Sequence, residues 1–199
     1  MKNTERNIVR SKKEIRRAAL AARERLSPRE REKAAVLLTE RILGHQWFYR
    51  AEELLGFVSH GSEIDTTEIL LEALRMGKRV YVPKVCACGV ESAQEMEFYR
   101  ICSLEELKEG YMGIREPAGD TECYCYTEER AEKTLMLMPG AAFDGCCNRV
   151  GYGKGFYDRY LSCRESLQLH TIAVGFRCQL VEEIPAESTD IKPYQIICM

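Results

Sequence analysis

The sequence predicts an α/β fold in which a mostly parallel, Rossmann-like sheet lies between two layers of helices. Short apolar stretches, such as residues 54–58 and 135–138, have the length of buried strands. Segments with apolar residues at helical spacing lie between them, and this alternation favours a three-layer αβα arrangement. Because no linker, repeat or low-complexity stretch divides the chain, we expect a single domain over residues 1–199, with residues 1–10 as a disordered tail.

Two helices are predicted near the N-terminus. Apolar residues recur at helical spacing across residues 11–26. Ser27 is a favoured N-cap residue and Pro28 suits the first helical position, so a second helix should run from there towards Gly44. Lysines and arginines are frequent in the first of these helices, and for most of them we expect a solvated helix face.

The middle of the chain continues the alternation of strands and helices. Residues 54–58 predict the first buried strand, and Asp65 or Thr66 should cap a helix that ends at Gly77. The next predicted segments are a strand at 79–85, a loop at 86–94, a strand at 95–101, a short helix at 103–108 and an irregular polar connection at 118–133.

Three further strands, at 135–138, 171–176 and 195–198, complete the predicted sheet, and a helix is expected from about Lys154 to Leu167. Ligands of such sheets bind beyond the carboxyl ends of the strands. The loop at 59–63 and a glycine-rich loop after residue 138 both follow strands, so the two loops should border one cleft.

Composition and charge exclude several classes of protein. The net charge of −2 gives no electrostatic support for nucleic-acid binding. No apolar run has the length of a membrane span, and the first residues lack a signal-peptide core. We therefore expect a cytoplasmic protein with no nucleic-acid or membrane partner, as a monomer or weak homodimer.

The ten cysteines do not follow a common zinc-site spacing. Cys86 and Cys88 are separated by one residue, as are Cys123 and Cys125. We favour free thiols in a reducing compartment, because a chain of this size does not need disulfides to fold. The alternative is a structural zinc ion between the two cysteine pairs.

The glycine-rich loop predicts a phosphate site. Gly151, Gly153 and Gly155 lie between an apolar strand and a helix, where backbone N–H groups can approach an anion. Arg149 and Lys154 supply positive charge, while Asp144 and Asp158 lie on the same loop and could hold a magnesium ion. A flexible surface turn is the alternative. The pattern matches neither the P-loop nor the dinucleotide fingerprint, because positions 148, 155 and 156 are Asn, Gly and Phe.

Residues 148–161, Asn-Arg-Val-Gly-Tyr-Gly-Lys-Gly-Phe-Tyr-Asp-Arg-Tyr-Leu, resemble the signature of the 5-formyltetrahydrofolate cyclo-ligase family, also called 5,10-methenyltetrahydrofolate synthetases. Shorter matches occur in order along the chain, at residues 12–16, 62–66, 77–83 and 113–117, and at Ile184, Pro185 and Asp190. The resemblance implies ATP- and Mg²⁺-dependent closure of 5-formyltetrahydrofolate to 5,10-methenyltetrahydrofolate, with release of ADP and phosphate.

The resemblance also implies roles for particular residues. The catalytic residues would be Arg149, Lys154 and Tyr157. The nucleotide would be bound by Lys12, Arg16, Arg149, Gly151, Tyr152, Gly153, Lys154 and Gly155. The folate would be bound by Val58, Glu63, Phe156 and Tyr157, and the magnesium ion by Asp158 and Asp190.

Each of these roles has a simpler alternative. Lys12 and Arg16 could be a solvent-facing pair, Asp158 could interact only with the helix dipole, and Asp190 could be a turn residue. One of the two aromatic residues could belong to the core. Cys147 stands where the family usually has Gly, which implies strain if the backbone there needs a positive φ.

The sequence leaves three other functions open. The chain could be an ATP-dependent kinase or ligase acting on a different small molecule. It could be a regulator that binds a nucleotide or folate without turnover, or a thiol–metal protein.

Overall fold

The structure, a computed structural model, describes residues 10–87, 94–118 and 121–199. Its helices are α1 (Lys12–Glu24), α2 (Pro28–Leu43), α3 (Gln46–Arg50), α4 (Thr67–Arg75), α5 (Glu128–Glu132), α6 (Phe156–Leu161) and α7 (Glu165–Gln168). Its strands are β1 (Glu53–Leu55), β2 (Arg79–Ala87), β3 (Gln94–Ile101), β4 (Leu107–Glu109), β5 (Arg115–Pro117), β6 (Thr134–Met138), β7 (Ala142–Phe143), β8 (Arg149–Val150), β9 (Thr171–Gly175) and β10 (Gln195–Cys198). Nearly all of the expected N-terminal tail lies outside the described residues.

Six strands form the central sheet in the order β10-β9-β6-β1-β2-β3, and all neighbours are parallel except β2 and β3. Alternate strand residues pack on opposite faces. Leu54 and Leu135 pack with apolar residues of α2 and α4. Leu55 and Met136 pack with residues of α5, α6 and α7. The predicted three-layer, mostly parallel α/β fold is therefore confirmed.

The first two helices begin where the sequence predicts. Ser27 forms a capping box with Glu30, and Pro28 occupies the first turn of α2. Ser11 caps α1 in the same way. Ile15 and Ala19 of α1 pack in a small separate cluster with residues of the β7–β8 hairpin, which places α1 beside the glycine-rich loop.

Several predicted segments differ from the structure. The predicted helix at 103–108 is wrong, because a short 3₁₀ turn is followed by β4, whose pairing with β5 buries Leu107. The irregular connection at 118–133 contains α5, capped by Thr127. The predicted loop at 86–94 is shorter, since β2 extends to residue 87 and β3 starts at 94; residues 88–93 lie outside the described part of the chain.

The predicted helix from Lys154 to Leu167 is two helices. Arg164 leaves the helical region, with φ of −135° and ψ of 58°, and separates α6 from α7. The first predicted strand, 54–58, is also shorter, because pairing ends at Leu55. Neither α3 nor the β7–β8 hairpin was predicted, and this hairpin separates β6 from the glycine-rich loop.

The N-terminal end of β1 is held by a buried ion pair. Glu53 is fully buried, and its carboxylate accepts hydrogen bonds from Arg130 Nε at 3.1 Å and Nη2 at 2.7 Å. Arg79 Nη2 lies 2.7 Å from the same carboxylate. Arg130 Nη2 also donates to the Tyr81 hydroxyl at 3.0 Å. Burial, with the nearby carboxylates, raises the pKa of Tyr81 to about 12.

No helix in the described ranges combines the length and apolar character needed to cross a membrane.

Replacing Arg130 with methionine should lower the free energy of unfolding by about 2 kcal/mol, because the buried Glu53 carboxylate loses its bidentate partner but keeps Arg79. Urea unfolding measures this change. The exposed pair of Arg100 with Glu122 provides the control, and Arg100→Met should cost less than about 1 kcal/mol. Equal losses of unfolding free energy in Arg130→Met and Arg100→Met would contradict the conclusion that the buried Glu53 carboxylate needs Arg130 as a partner.

Candidate active site

Two cavities open beside the glycine-rich loop. The smaller has a volume of about 420 Å³ and the larger about 750 Å³. Arg149, Gly151, Gly155 and Asp158 line both cavities, so the loop forms a wall between them. A group passing from one cavity to the other would pass these four residues.

Asp144 holds the turn that precedes the loop. Its Oδ1 accepts hydrogen bonds from the backbone N–H groups of Cys146 and Asn148, both at 2.9 Å. Its Oδ2 accepts from Ile184 N at 2.9 Å and from Asn148 Nδ2 at 2.8 Å. Burial alone would raise the pKa of Asp144, but these hydrogen bonds outweigh it and lower the pKa overall. Both oxygens of the Asp144 carboxylate are therefore used to stabilise the turn.

The glycines allow a close approach of arginine side chains to the loop. Gly153 and Gly155 have positive φ values of 94° and 65°. A Cβ atom at Gly151 would lie 3.0 Å from Arg149 Nη1, and one at Gly153 would lie 3.5 Å from the Arg16 guanidinium. Gly153 and Gly155 are therefore required by the backbone conformation, whereas at Gly151 a Cβ atom would crowd the Arg149 guanidinium.

Cys147 has a φ of 59°, in the left-handed region. The strain expected from the sequence is thus present, because a side chain other than Gly is disfavoured there.

Both basic and acidic side chains line the larger cavity, among them Lys12, Arg16 and Asp190. Arg16 Nε donates to Gly151 O at 2.7 Å. Lys12 Nζ lies 2.7 Å from Asp190 Oδ1 and 3.3 Å from Glu187. Burial favours a lower pKa for Lys12, but the hydrogen bonds to Asp190 and Glu187 raise it overall. Lys12 therefore stays charged at neutral pH.

Arg149 supplies the positive charge of the shared wall, and it is buried, with 8% of its surface exposed. Its Nη1 donates to Pro139 O at 3.2 Å, and its Nη2 lies 3.4 Å from Asp158 Oδ1. Its Nε–H group has no hydrogen-bond partner within the described residues. A buried donor without a partner is costly, so this arginine is suited to an incoming anion.

The smaller cavity is largely apolar and aromatic. Val58, Met96, Phe156 and Tyr157 contribute to its lining. The Arg149 guanidinium lies 5.4 Å from the centre of the Tyr157 ring. Burial, and secondarily the negative charge of Glu63, raises the pKa of Tyr157, so its hydroxyl stays protonated at neutral pH.

Two carboxylates border this apolar surface. Glu63 Oε2 accepts a hydrogen bond from His60 N at 2.9 Å. Glu116 is buried and accepts one from Val85 N at 3.2 Å. A cavity of this composition suits a flat heterocycle with a few hydrogen-bonding groups.

Every residue to which the resemblance assigns a role lines at least one cavity, whereas Asp144, the other candidate for magnesium, lines neither. The larger one contains Lys12, Arg16, Gly153 and Asp190, besides the four shared residues. The smaller one contains Val58, Glu63, Tyr152, Lys154, Phe156 and Tyr157. Tyr152 and Lys154 thus lie on the apolar side, although the resemblance assigns them to the nucleotide. The individual roles stay predictions.

Sequence reasoning missed Arg23 and Glu116, which both line the smaller cavity. The expectation of a solvated side chain is wrong for Arg23, because only 6% of its surface is exposed. Positions 12, 16 and 23 lie on one face of a helix, and this spacing could have indicated it. Glu116 lies within a matching stretch, but nothing in the sequence indicated its burial.

The nine cysteines in the described ranges are free thiols, and Cys88 lies outside those ranges. The described residues contain no group of three or more His, Cys, Asp or Glu side chains able to hold a metal ion.

A family model for 5-formyltetrahydrofolate cyclo-ligases matches residues 8–199. The chain belongs to the 5-formyltetrahydrofolate cyclo-ligase family. The family consists of enzymes, and the mouse 5-formyltetrahydrofolate cyclo-ligase is 30% identical to this chain over 201 residues, covering 95% of this chain and 94% of the mouse protein.

Solved structures agree with this assignment. The Aquifex aeolicus 5,10-methenyltetrahydrofolate synthetase superposes with a TM-score of 0.73 at 29% identity, covering 92% of this chain and 86% of that one. A Mycoplasma pneumoniae 5,10-methenyltetrahydrofolate synthetase shares the fold, with a TM-score of 0.70 at 20% identity over 94% of this chain and 98% of that one.

Replacing Cys147 with glycine should raise the free energy of unfolding by about 1 kcal/mol, since it relieves a left-handed conformation. Thermal or urea unfolding measures the change. The neighbouring Cys146 has no positive φ, so Cys146→Gly should instead be neutral or destabilising by up to about 1 kcal/mol. A loss of stability in Cys147→Gly would show that the position is not strained.

Proposed function

We propose that this protein uses ATP and Mg²⁺ to cyclise 5-formyltetrahydrofolate to 5,10-methenyltetrahydrofolate, releasing ADP and phosphate. The observation that carries the proposal is the shared wall, where a cationic cavity and an apolar cavity meet at Arg149 and Asp158. Two substrates of different chemistry could each fill one cavity and react across this wall. Family membership supports the same reaction.

The larger cavity suits the triphosphate of ATP. Lys12, Arg16 and Arg149 provide positive charge, and the glycine-rich backbone leaves room for phosphate oxygens. The Arg149 Nε–H group, which lacks a partner among the described residues, would gain one from a phosphate oxygen.

The donor set also fits a magnesium ion. Asp158 and Asp190 line the larger cavity, where Arg149 and Lys12 respectively neutralise them. Mg²⁺ usually binds one or two carboxylates together with substrate phosphates, so these two aspartates would hold it. When bound, the ion would neutralise charge on the transferring phosphoryl group.

The smaller cavity suits the pterin ring of the folate. Val58, Phe156 and Tyr157 would contact its faces, and Glu63 would accept hydrogen bonds from its N–H groups. Tyr157, protonated and close to Arg149, lies towards the shared wall where the formyl group would meet the nucleotide.

The reaction needs an activated formyl oxygen, because a formamide carbonyl is a poor electrophile. The γ-phosphoryl group passes from ATP to the formyl oxygen, leaving ADP, and N10 attacks the formyl carbon. The C–O bond then breaks, phosphate leaves, and N10 loses its proton. Such a transfer depends on alignment and charge neutralisation more than on a protein nucleophile, which is what Arg149 and Lys154 would supply.

The direct test mixes the purified protein with 5-formyltetrahydrofolate, ATP and Mg²⁺ and follows the absorbance of the methenyl product. We expect product formation that requires all three components, with one ADP released per product. Hydrolysis of ATP that does not depend on folate would indicate an enzyme acting on another small molecule. Binding of either ligand without turnover would indicate a regulator.

Replacing Asp158 with asparagine should reduce kcat at least about tenfold and raise the Mg²⁺ concentration needed for half-maximal activity, because a carboxylate ligand is lost. Asparagine keeps an oxygen for the hydrogen bond from Ile191 N, so the fold should persist. The control Asp65→Asn alters an exposed helix-capping residue outside both cavities and should change neither value. An unchanged Mg²⁺ requirement in Asp158→Asn would refute the assigned role.

Replacing Lys12 with alanine should raise the KM for ATP several-fold more than the KM for 5-formyltetrahydrofolate, because Lys12 lines only the larger cavity. Steady-state kinetics with each substrate varied in turn measures both values. Lys13→Ala, an exposed neighbour, is the matched control. An equal rise in the KM values for both substrates would contradict the placement of ATP in the larger cavity.

A further inference from the structure

Arg23 connects two loops that face each other across the smaller cavity. It lies near the end of α1 and is 6% exposed. Its Nε donates to Ser62 Oγ at 2.9 Å, and its Nη1 donates to the Tyr152 hydroxyl at 2.7 Å. Ser62 belongs to the loop that carries Glu63, and Tyr152 belongs to the glycine-rich loop. One buried side chain thus spans from one loop to the other.

The Ser62 end of this connection is itself fixed. Ser62 is buried, with 5% of its surface exposed, and its hydroxyl donates to Glu24. Glu24 follows Arg23 on the same helix, so α1 holds Ser62 through two adjacent side chains. The serine can accept from Arg23 while donating to Glu24, which satisfies both hydrogen-bonding roles of its hydroxyl.

The glycine-rich loop is also held at two points. Arg16 binds Gly151 O, and Arg23 binds the side chain of the next residue, Tyr152. Arg16 and Arg23 are seven residues apart, which corresponds to about 10 Å along a helix. Attachment of consecutive loop residues to two separated points on α1 fixes the direction of the loop as well as its position.

We propose that Arg23 is a positioning residue that sets the width of the smaller cavity, and through it the affinity for the folate substrate. The role in folate binding rests on the proposed function. Arginine suits this role because its planar guanidinium holds several donors in a fixed arrangement, whereas lysine presents a single ammonium group. Arg23 would act through Tyr152 and Ser62, not on the reacting atoms.

The larger cavity should be much less sensitive to Arg23. Lys12 and Arg16 lie towards the other end of α1, and their contacts with Asp190 and Gly151 do not involve Arg23, so we expect them to persist when Arg23 is replaced. Arg23 lines the smaller cavity only. Loss of the connection should therefore raise the KM for 5-formyltetrahydrofolate and leave the KM for ATP nearly unchanged.

Tyr152→Phe removes only the hydroxyl, and Arg23→Met removes the guanidinium while keeping an unbranched apolar side chain. We expect each to raise the KM for 5-formyltetrahydrofolate about tenfold, the scale of one lost charge-assisted hydrogen bond, with kcat and the KM for ATP within about twofold of wild type. Because both changes break the same connection, the double variant should be little worse than Arg23→Met alone. Arg23→Lys should recover only part of the loss.

Tyr81→Phe is the matched control. It removes another tyrosine hydroxyl that binds an arginine, Arg130, but it lines neither cavity. It should lower the thermal unfolding temperature without changing either KM. If Tyr81→Phe raised the KM for 5-formyltetrahydrofolate as much as Tyr152→Phe, the rise would reflect a general loss of stability. That result would overturn the proposal.

Amide hydrogen exchange, measured by mass spectrometry, tests the connection independently of the reaction. Peptides covering residues 59–63 and 151–157 should exchange faster in Arg23→Met and Tyr152→Phe than in wild type, and should be unchanged in Tyr81→Phe. If exchange is faster in these two variants but the wild-type protein does not convert 5-formyltetrahydrofolate, the proposed function is refuted and the connection through Arg23 is still supported. Unchanged exchange, or an unchanged KM for folate in an active enzyme, would overturn the role of Arg23.

Discussion

The site depends on the glycine-rich loop at residues 151–155, which has few side chains of its own but is held in place by other segments of the chain. Loops rich in glycine are entropically expensive to order, because their backbone has many accessible conformations. Here the buried carboxylate of Asp144 fixes the preceding turn through backbone N–H groups. Arg16 and Arg23 of α1 then bind the loop at Gly151 O and at the Tyr152 hydroxyl. The loop can border two cavities because other segments of the chain hold it in place.

Much of the fold follows from local patterns. Buried strands show as short apolar runs, and both N-terminal helices carry capping residues at their first positions. The errors occurred where tertiary contacts decide the structure. Residues 107–109 form a strand because β5 lies beside them, and no local signal indicates that partner. The break at Arg164 similarly depends on how α6 and α7 pack against the sheet.

The site shows the same division between local and tertiary information. The glycine spacing and the charges at Arg149, Lys154 and Asp158 indicated a phosphate loop from the sequence, and these residues do border the cavities. Helical spacing places Arg23 on the same face as Lys12 and Arg16, but its partners Ser62 and Tyr152 could not be inferred, because they lie 39 and 129 residues away. The commitment of Asp144 to the turn likewise depends on Ile184, 40 residues further along. Charge alone could not distinguish Asp144, a structural group, from Asp158.

The ion pair of Lys12 with Asp190 joins residues that are 178 positions apart. A ribosome releases α1 well before the acidic partner of Lys12, which lies 178 positions further along the chain. The glycine-rich loop lies between α1 and Asp190 in the sequence. It can therefore pack against α1 before the segment around Asp190, which also lines the larger cavity, has been synthesised. A nascent chain therefore cannot complete the larger cavity until the segment containing Asp190 has been synthesised.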